Sequence, residues 1–195
     1  MNSLILDDEG AVNVFEKLSN ERVLFIDGEI DDNVSAEICA SLISKDLENN
    51  KQISIFINSG GGYIQNILTI YDTMKMIKSP IRTIAMGEVA YEAVLILAAG
   101  SKGNRFITKN STVELSKLFH EYAQYSDVTD AKIHLEFLKI KNEAYVNSLS
   151  VCLSKKPKDI LKLLDSKKYL NAQEAINLGI VDSLVKTKGD SLESR

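Results

Sequence analysis

The chain has 195 residues, of which 45% are hydrophobic and 26% charged, values typical of one soluble globular domain. A net charge of −4 with scattered positive residues argues against nucleic acid or an anionic membrane as a partner. We expect neither a signal peptide nor a membrane span, because no segment approaches the roughly 20 apolar residues that cross a bilayer. We therefore expect a cytoplasmic protein, or a stromal one if the source has plastids or similar organelles.

The two cysteines, Cys39 and Cys152, fall in separate helical patterns. Such cysteines usually pack as small apolar side chains with free thiols. We interpret both as reduced, which suits a reducing compartment. We expect neither a metal nor a cofactor.

Strand and helix patterns alternate along the first half of the chain. Short β-rich runs predict strands at 22–27, 53–58 and 81–86. Apolar residues at helical spacing predict helices at 31–47, 64–77 and 89–99. An Asp/Asn cluster marks the start of the first helix, and Pro80 follows the end of the second.

The second half continues the alternation. Strands are predicted at 104–107, 111–115 and 167–170, and a helix beginning with Pro157 is predicted at 157–164. A further helix has Asn171 as its N-cap, Glu174 completing a capping box and Gly179 at its end, and a short strand follows it. This order predicts an α/β domain with a largely parallel sheet.

One helical pattern, at 128–154, is much longer than the others. At about 1.5 Å per residue, such a helix is about 40 Å long, which is more than a small domain needs. Its apolar side carries Ile133, Phe137, Leu138, Ile140 and Ala144. The pattern predicts a helix that projects and packs on a neighbouring subunit.

Several short motifs occur in a consistent order between residues 22 and 185. They are "GEIDD", "INSGGGYIQNILTIYDTMKMI", "LAAGSKGNRF", "KNSTV" and "LNAQEAINLGIVD". Together they resemble the proteolytic subunit of the Clp protease, a tetradecameric serine peptidase. The resemblance implies a ClpP/crotonase-like fold of stacked β-β-α units in a single domain, residues 1–195. Its parts would be an N-terminal axial segment (1–20), a head (21–122), a handle region with the long projecting helix (about 123–156), a C-terminal head portion (157–185) and a mobile tail (186–195).

The resemblance also implies where a catalytic triad would lie, and each of these positions is changed. The family's Gly-Met-Ala-Ala-Ser-Met-Gly-Ala, aligned with "GEVAYEAV", places the serine nucleophile at Tyr91. Its histidine falls on Ser116 in "VELSKL", and its aspartate falls on Leu163. A triad needs a nucleophile, a base and a group that orients the base, and these residues supply no such set. We therefore expect no intact catalytic residue and an inactive, ClpR-type member of the family.

The oxyanion hole is the second feature that the resemblance implies. The family's Ser-Pro-Gly-Gly loop, whose backbone N–H groups bind the developing oxyanion, corresponds to 59–62, "SGGG", which lacks the proline. Equivalent positions are Gly61, Gly62 and Glu92, although glycines here would also suit a tight turn. A carboxylate at Glu92 would repel an oxyanion unless its side chain points away.

Three alternatives to an inactive ring subunit remain open. The first is a peptidase with a relocated triad, using His120 as the base, Asp165 to orient it, and Ser59, Ser111 or Ser116 as the nucleophile. The second is a crotonase-like enzyme that uses Glu88 or Glu92 for acid–base chemistry. The third is a homo-oligomeric scaffold without a protease partner.

Partners follow from the same resemblance. Members of the family form seven-subunit rings that stack in pairs through the handle helix, so we expect a homo- or hetero-heptameric ring, and a double ring with an active ClpP-type paralogue. The family's Ile-Tyr-Leu-Tyr-Ile-Asn strand helps to form a pocket for loops of an AAA+ unfoldase. Here "ISIFIN" keeps one aromatic residue, Phe56, and has Ser54 in place of the other. We therefore expect weakened docking of the unfoldase.

Overall fold

The computed structural model describes residues 4–7, 10–118 and 127–186. The strands in these ranges are β1 (Leu4–Asp7), β2 (Gly10–Asn13), β3 (Val23–Asp27), β4 (Ile53–Ser59), β5 (Ile81–Ala90), β6 (Arg105–Ile107), β7 (Thr112–Leu115), β8 (Lys168–Leu170) and β9 (Ser183–Leu184). The helices are α1 (Val14–Asn20), α2 (Asp32–Glu48), α3 (Ile64–Met76), α4 (Ala93–Ala98), α5 (Val128–Leu153), α6 (Pro157–Asp165) and α7 (Ala172–Leu178). The predicted α/β class is confirmed.

The main sheet is parallel except at one pair of strands. Its continuous order is β3-β4-β5-β6-β9, and every neighbouring pair in that order runs parallel. β7 pairs with β5 in parallel and with β8 antiparallel. β1 and β2 form a separate antiparallel pair in the N-terminal segment, which the sequence patterns did not resolve into elements.

β5 has two different neighbours along one side, and this corrects a boundary. Its first half pairs with β6 and its last residues, Glu88 to Ala90, pair with β7. The strand predicted to end at 86 therefore continues to Ala90, and the helix predicted at 89–99 is the shorter α4, Ala93–Ala98. The prediction was wrong here because Val89 and Ala90 are apolar and buried, like every residue of α4 that follows, so periodicity could not distinguish strand from helix.

Local capping explains why several helices begin and end where they do. The Asp31 side chain accepts a hydrogen bond from the N–H of Val34 and starts α2. Asn171 and Glu174 form the predicted capping box of α7, and Gly179 ends that helix with a φ of 80°. Pro157 occupies the first turn of α6, as predicted.

The core lies between the sheet and the helices packed on it. Every residue of α4 is buried, so this short helix crosses the centre of the domain. The last part of α5 is also buried, through Tyr145, Leu149 and Cys152 among others. In its first half, by contrast, Ile133 is 65% exposed and Ile140 is 57% exposed. The predicted long helix is confirmed, and only its C-terminal half packs on the sheet domain.

A buried arginine joins three helix ends to the sheet. Arg105 on β6 donates hydrogen bonds to Asp182 from both its Nε and NH2 groups, at 3.0 and 2.5 Å. Its NH1 group donates to the carbonyl oxygens of Ala98, Cys152 and Gly179, at the ends of α4, α5 and α7. A guanidinium can satisfy several carbonyl groups at once because its donors lie in one plane.

Both cysteines are free thiols, Cys39 half-buried and Cys152 buried. In the described ranges no helix is long and apolar enough to cross a membrane.

Candidate functional site

The turn between β5 and α4 has the geometry of a nucleophile elbow. β5 ends at Ala90, two residues form the turn, and α4 begins at Ala93. Tyr91, in the turn, has a φ of 49°, which is a left-handed conformation that non-glycine residues seldom adopt. The fully buried hydroxyl of Tyr145 on α5 donates a hydrogen bond of 3.1 Å to the Tyr91 carbonyl oxygen. The long helix α5 therefore stabilises the elbow through this hydrogen bond.

The glycine loop after β4 lies against this elbow. Gly61 has a φ of 97°, and a Cβ added to it would lie 3.2 Å from the Tyr91 Cβ and 3.4 Å from the Glu92 backbone nitrogen. Only glycine therefore fits at this position. The structure brings together the two segments that the sequence predicted to carry oxyanion donors, at Gly61 and Glu92.

Gly62 packs on a different part of the molecule. A Cβ there would lie 2.3 Å from the Ile30 carbonyl oxygen, in the turn that follows β3. Gly62 and Ile30 also form an isolated parallel bridge. The close approach of two backbones thus accounts for this glycine.

The side chain of Glu92 does not point away from the loop. It is 2% exposed, and its Oε2 lies 2.8 Å from the point that a Cβ on Gly61 would occupy. Burial, together with the nearby Glu92 carboxylate, raises the pKa of the Tyr145 phenol. The condition under which a carboxylate could be tolerated beside an oxyanion is therefore not met.

The other two triad-equivalent residues lie on neighbouring segments. Ser116 directly follows β7, is buried, and its hydroxyl donates to the Lys117 carbonyl oxygen at 3.3 Å. Leu163 lies on α6 and packs against the hydrophobic core. A salt bridge of 2.6 Å between Lys117 and Asp165 joins these two segments. Both of its side chains are more than half exposed, so it adds little stability.

The serines proposed for a relocated triad have structural hydrogen bonds. Ser59 donates to the Gly28 carbonyl oxygen at 2.6 Å and accepts from the Gly61 N–H at 3.1 Å. Ser111 bonds to the Thr108 hydroxyl at 2.6 Å. His120, the proposed base, lies outside the described residues.

The glutamates proposed for crotonase-like chemistry differ in environment. Glu88 is exposed on β5, and its N–H donates to Asn58 Oδ1 at 3.1 Å, whereas Glu92 is buried. The remaining described histidine, His134, lies on α5 beside Phe137, with ring centroids 6.1 Å apart. No group of three or more His, Cys, Asp or Glu side chains able to hold a metal occurs in the described part of the chain.

Three residues near the elbow were missed from the sequence. Tyr145 reaches the elbow from α5, and Glu114 and Tyr169 face each other across the β7–β8 pair. The hydrogen bond with Glu114, and then the charge of that carboxylate, raise the pKa of Tyr169. In the sheet register Ala90 lies opposite Glu114, so the Glu114–Tyr169 pair lies next to the turn that carries Tyr91. One sequence signal could have pointed to Glu114, namely a glutamate placed between apolar residues in "VELSKL".

Phe56, the candidate docking residue, belongs to an aromatic cluster with residues of β3 and α1. Its ring stacks on Phe25 with centroids 5.1 Å apart and an interplanar angle of 14°. Phe15 of α1 meets Phe25 edge to face at 5.9 Å. Phe15 and Phe25 were not identified from the sequence, because they belong to other elements.

A left-handed turn between a strand and a buried helix, facing a glycine loop, is also the arrangement found at the nucleophile elbow of acyl hydrolases. A family model described as Clp protease matches residues 7–188, nearly the whole chain. The chain belongs to the Clp protease family, a family of serine proteases. Members of this family form rings with other Clp subunits, and the predicted ClpP-like fold is confirmed.

Proposed function

We propose that this chain is a catalytically inactive subunit of a Clp-type protease core, with a structural or regulatory role in the ring. The observation that carries the proposal is the set of residues at the triad-equivalent positions: Tyr91, Ser116 and Leu163. A bulky phenol is a poor acyl-transfer nucleophile without a base, and a leucine cannot orient a base. Loss of a complete serine-protease triad lowers turnover by about 10⁶-fold.

The surroundings of Tyr91 support the same conclusion. An elbow nucleophile must present its oxygen to a substrate carbonyl next to empty oxyanion donors. Here the buried carboxylate of Glu92 lies over Gly61. The Ser116 hydroxyl donates to the adjacent backbone carbonyl of Lys117.

A fluorophosphonate probe tests inactivity directly, because it labels activated serine nucleophiles. The purified chain and an active ClpP-type subunit are treated in parallel, and both are assayed with a fluorogenic peptide. We expect labelling and cleavage only with the active subunit. Labelling of this chain would contradict the proposal and favour a relocated triad, whose base is then tested with His120→Ala.

We further propose that the chain joins a ring with itself or with an active paralogue. The exposed apolar side chains in the first half of α5, such as Ile133, Phe137 and Ile140, support assembly through this helix. Native mass spectrometry of the chain alone, and mixed with the paralogue, gives the subunit count and composition. Rings that contain both chains support a regulatory subunit. Rings of this chain alone support a scaffold, and a monomer under both conditions would contradict the proposal.

Docking of an AAA+ unfoldase to this subunit is proposed to be weak. Only Phe56 of the two expected aromatic positions is aromatic, and its ring is half-buried against Phe25. Restoring the second aromatic residue with Ser54→Tyr should strengthen binding of the ATPase to a ring of this chain. Tight, nucleotide-dependent binding by the unmodified ring would be the contrary result.

A further inference from the structure

The buried carboxylate of Glu92 lies in the space that a side chain on Gly61 would occupy. Its Oε2 lies 2.8 Å from the position of a Cβ built on Gly61, and the Glu92 backbone nitrogen lies 3.4 Å from the same point. The carboxylate of one oxyanion-equivalent residue, Glu92, thus lies against the other, Gly61. With 2% exposure, Glu92 has little freedom to leave this position for solvent.

One of the backbone donors is also already in use. The N–H of Gly61 donates to Ser59 Oγ at 3.1 Å, and the Ser59 hydroxyl donates to the Gly28 carbonyl oxygen at 2.6 Å. This relay ties the loop to the end of β3. An incoming acyl oxygen would therefore have to displace a carboxylate and compete for a donor that is already bonded.

A side chain at this place opposes acyl transfer for a reason that does not depend on the triad. The transition state of acyl transfer places an anion beside the donors, and a site that is already occupied by the Glu92 side chain cannot accept it. Losing a single oxyanion donor already costs about 10²–10³ in rate. The obstruction by Glu92 should cost at least as much.

We propose that Glu92 is a built-in plug of the oxyanion site, closing it to acyl groups independently of the lost triad. This inference rests on the proposed function and deepens it, because it assigns the closed state of the site to one side chain. It implies that restoring the triad alone leaves the chain nearly inactive.

The test uses two chains that differ only at Glu92. Both carry Tyr91→Ser, Ser116→His and Leu163→Asp, and one also carries Glu92→Met, the residue in the family motif. Circular dichroism and native mass spectrometry check that both fold and assemble alike. We expect the chain with Glu92→Met to be labelled by a fluorophosphonate at least about 100-fold faster. Equal, measurable labelling rates in the two chains would overturn the proposal.

A second measurement decides the matter if neither chain is labelled or if they do not fold. Gly61→Ala is introduced into the otherwise native chain and into chains that carry Glu92→Ala or Glu88→Ala. Because the new Cβ would meet the Glu92 carboxylate, we expect the loss of Tm to be clearly smaller with Glu92→Ala. Glu88→Ala, at an exposed position on β5, should leave the loss unchanged. The same loss in all three backgrounds would show that the carboxylate does not occupy this place.

The proposed function and the role of Glu92 are tested on different proteins, so the failure of one can be distinguished from the failure of the other. Labelling of the unmodified chain contradicts inactivity. The plug is judged only from differences between chains matched at every position except Glu92 or Glu88.

Discussion

Replacing Arg105 by alanine should destabilise the domain strongly, because this side chain joins the ends of three helices. It is 5% exposed and bonded to Asp182 and to the carbonyl oxygens of Ala98, Cys152 and Gly179. Alanine leaves these acceptors without their donor. Since α4 carries the elbow and α5 supports it, the loss should also loosen the site.

The expected magnitude follows from the burial of the two charges. Breaking a buried ion pair by removing one partner costs about 3–5 kcal/mol. The Asp182 side chain keeps 21% exposure, so water can partly replace the guanidinium, and we expect the lower end of the range, about 3 kcal/mol. For a chain of this size that corresponds to a decrease in Tm of about 6–12 °C.

Urea unfolding followed by circular dichroism at pH 7 measures the free energy of unfolding. Arg105→Lys is the matched control, because lysine keeps the charge and cannot make the two-pronged contact with Asp182. We expect its loss to be intermediate between those of the native chain and the alanine variant. A decrease of less than about 1 kcal/mol for Arg105→Ala would refute the role given to this residue.

Three further predictions concern the turn, the loop and the response to acid. Gly62→Ala should lower the free energy of unfolding by about 1–3 kcal/mol through overpacking, because its Cβ would lie 2.3 Å from a backbone carbonyl oxygen. Gly60→Ala is the control, because a Cβ at Gly60 would have open space, and urea unfolding compares the two variants. Tyr145→Phe should lower the free energy of unfolding by about 1 kcal/mol, since the partly buried carbonyl of Tyr91 loses this donor. An unchanged unfolding midpoint would contradict the hydrogen bond. Burial raises the pKa of Asp182, but hydrogen bonds from its arginine partner outweigh it and lower that pKa below 3.8. Its stabilisation is therefore complete above pH 3.8 and lost as pH falls further, so Asp182→Asn should flatten the acid limb of a stability–pH curve.

Features that depend on neighbouring residues were predicted well from the sequence. The capping box of α7 and the proline at the start of α6 are formed within a few residues of the chain. The long helix α5 was predicted within one residue of its end, because its 26 residues continue one periodic pattern. The glycine loop and the elbow could each be aligned with the family from their motifs, and the structure places the two segments in contact.

Features that depend on distant residues were missed or only partly predicted. The extension of β5 to Ala90 requires pairing with β7, more than twenty residues further along the chain. The support of the elbow by Tyr145 crosses 54 positions in sequence. The aromatic stack on Phe56 is completed by Phe25 from another strand. Periodicity identifies which residues are buried, but not which buried residues meet.

The residue types at the site are fixed by the sequence, whereas the direction of the Glu92 side chain is fixed by the tertiary structure. The types at positions 91, 116 and 163 are written in the chain, and chemistry excludes a serine-protease triad from them without any coordinates. Whether the carboxylate of Glu92 turns toward the loop or away from it depends on the packing of α4 under the glycine loop. Side-chain direction in a buried turn is set by the space that neighbouring segments leave, and that space exists only after the sheet and helices have assembled.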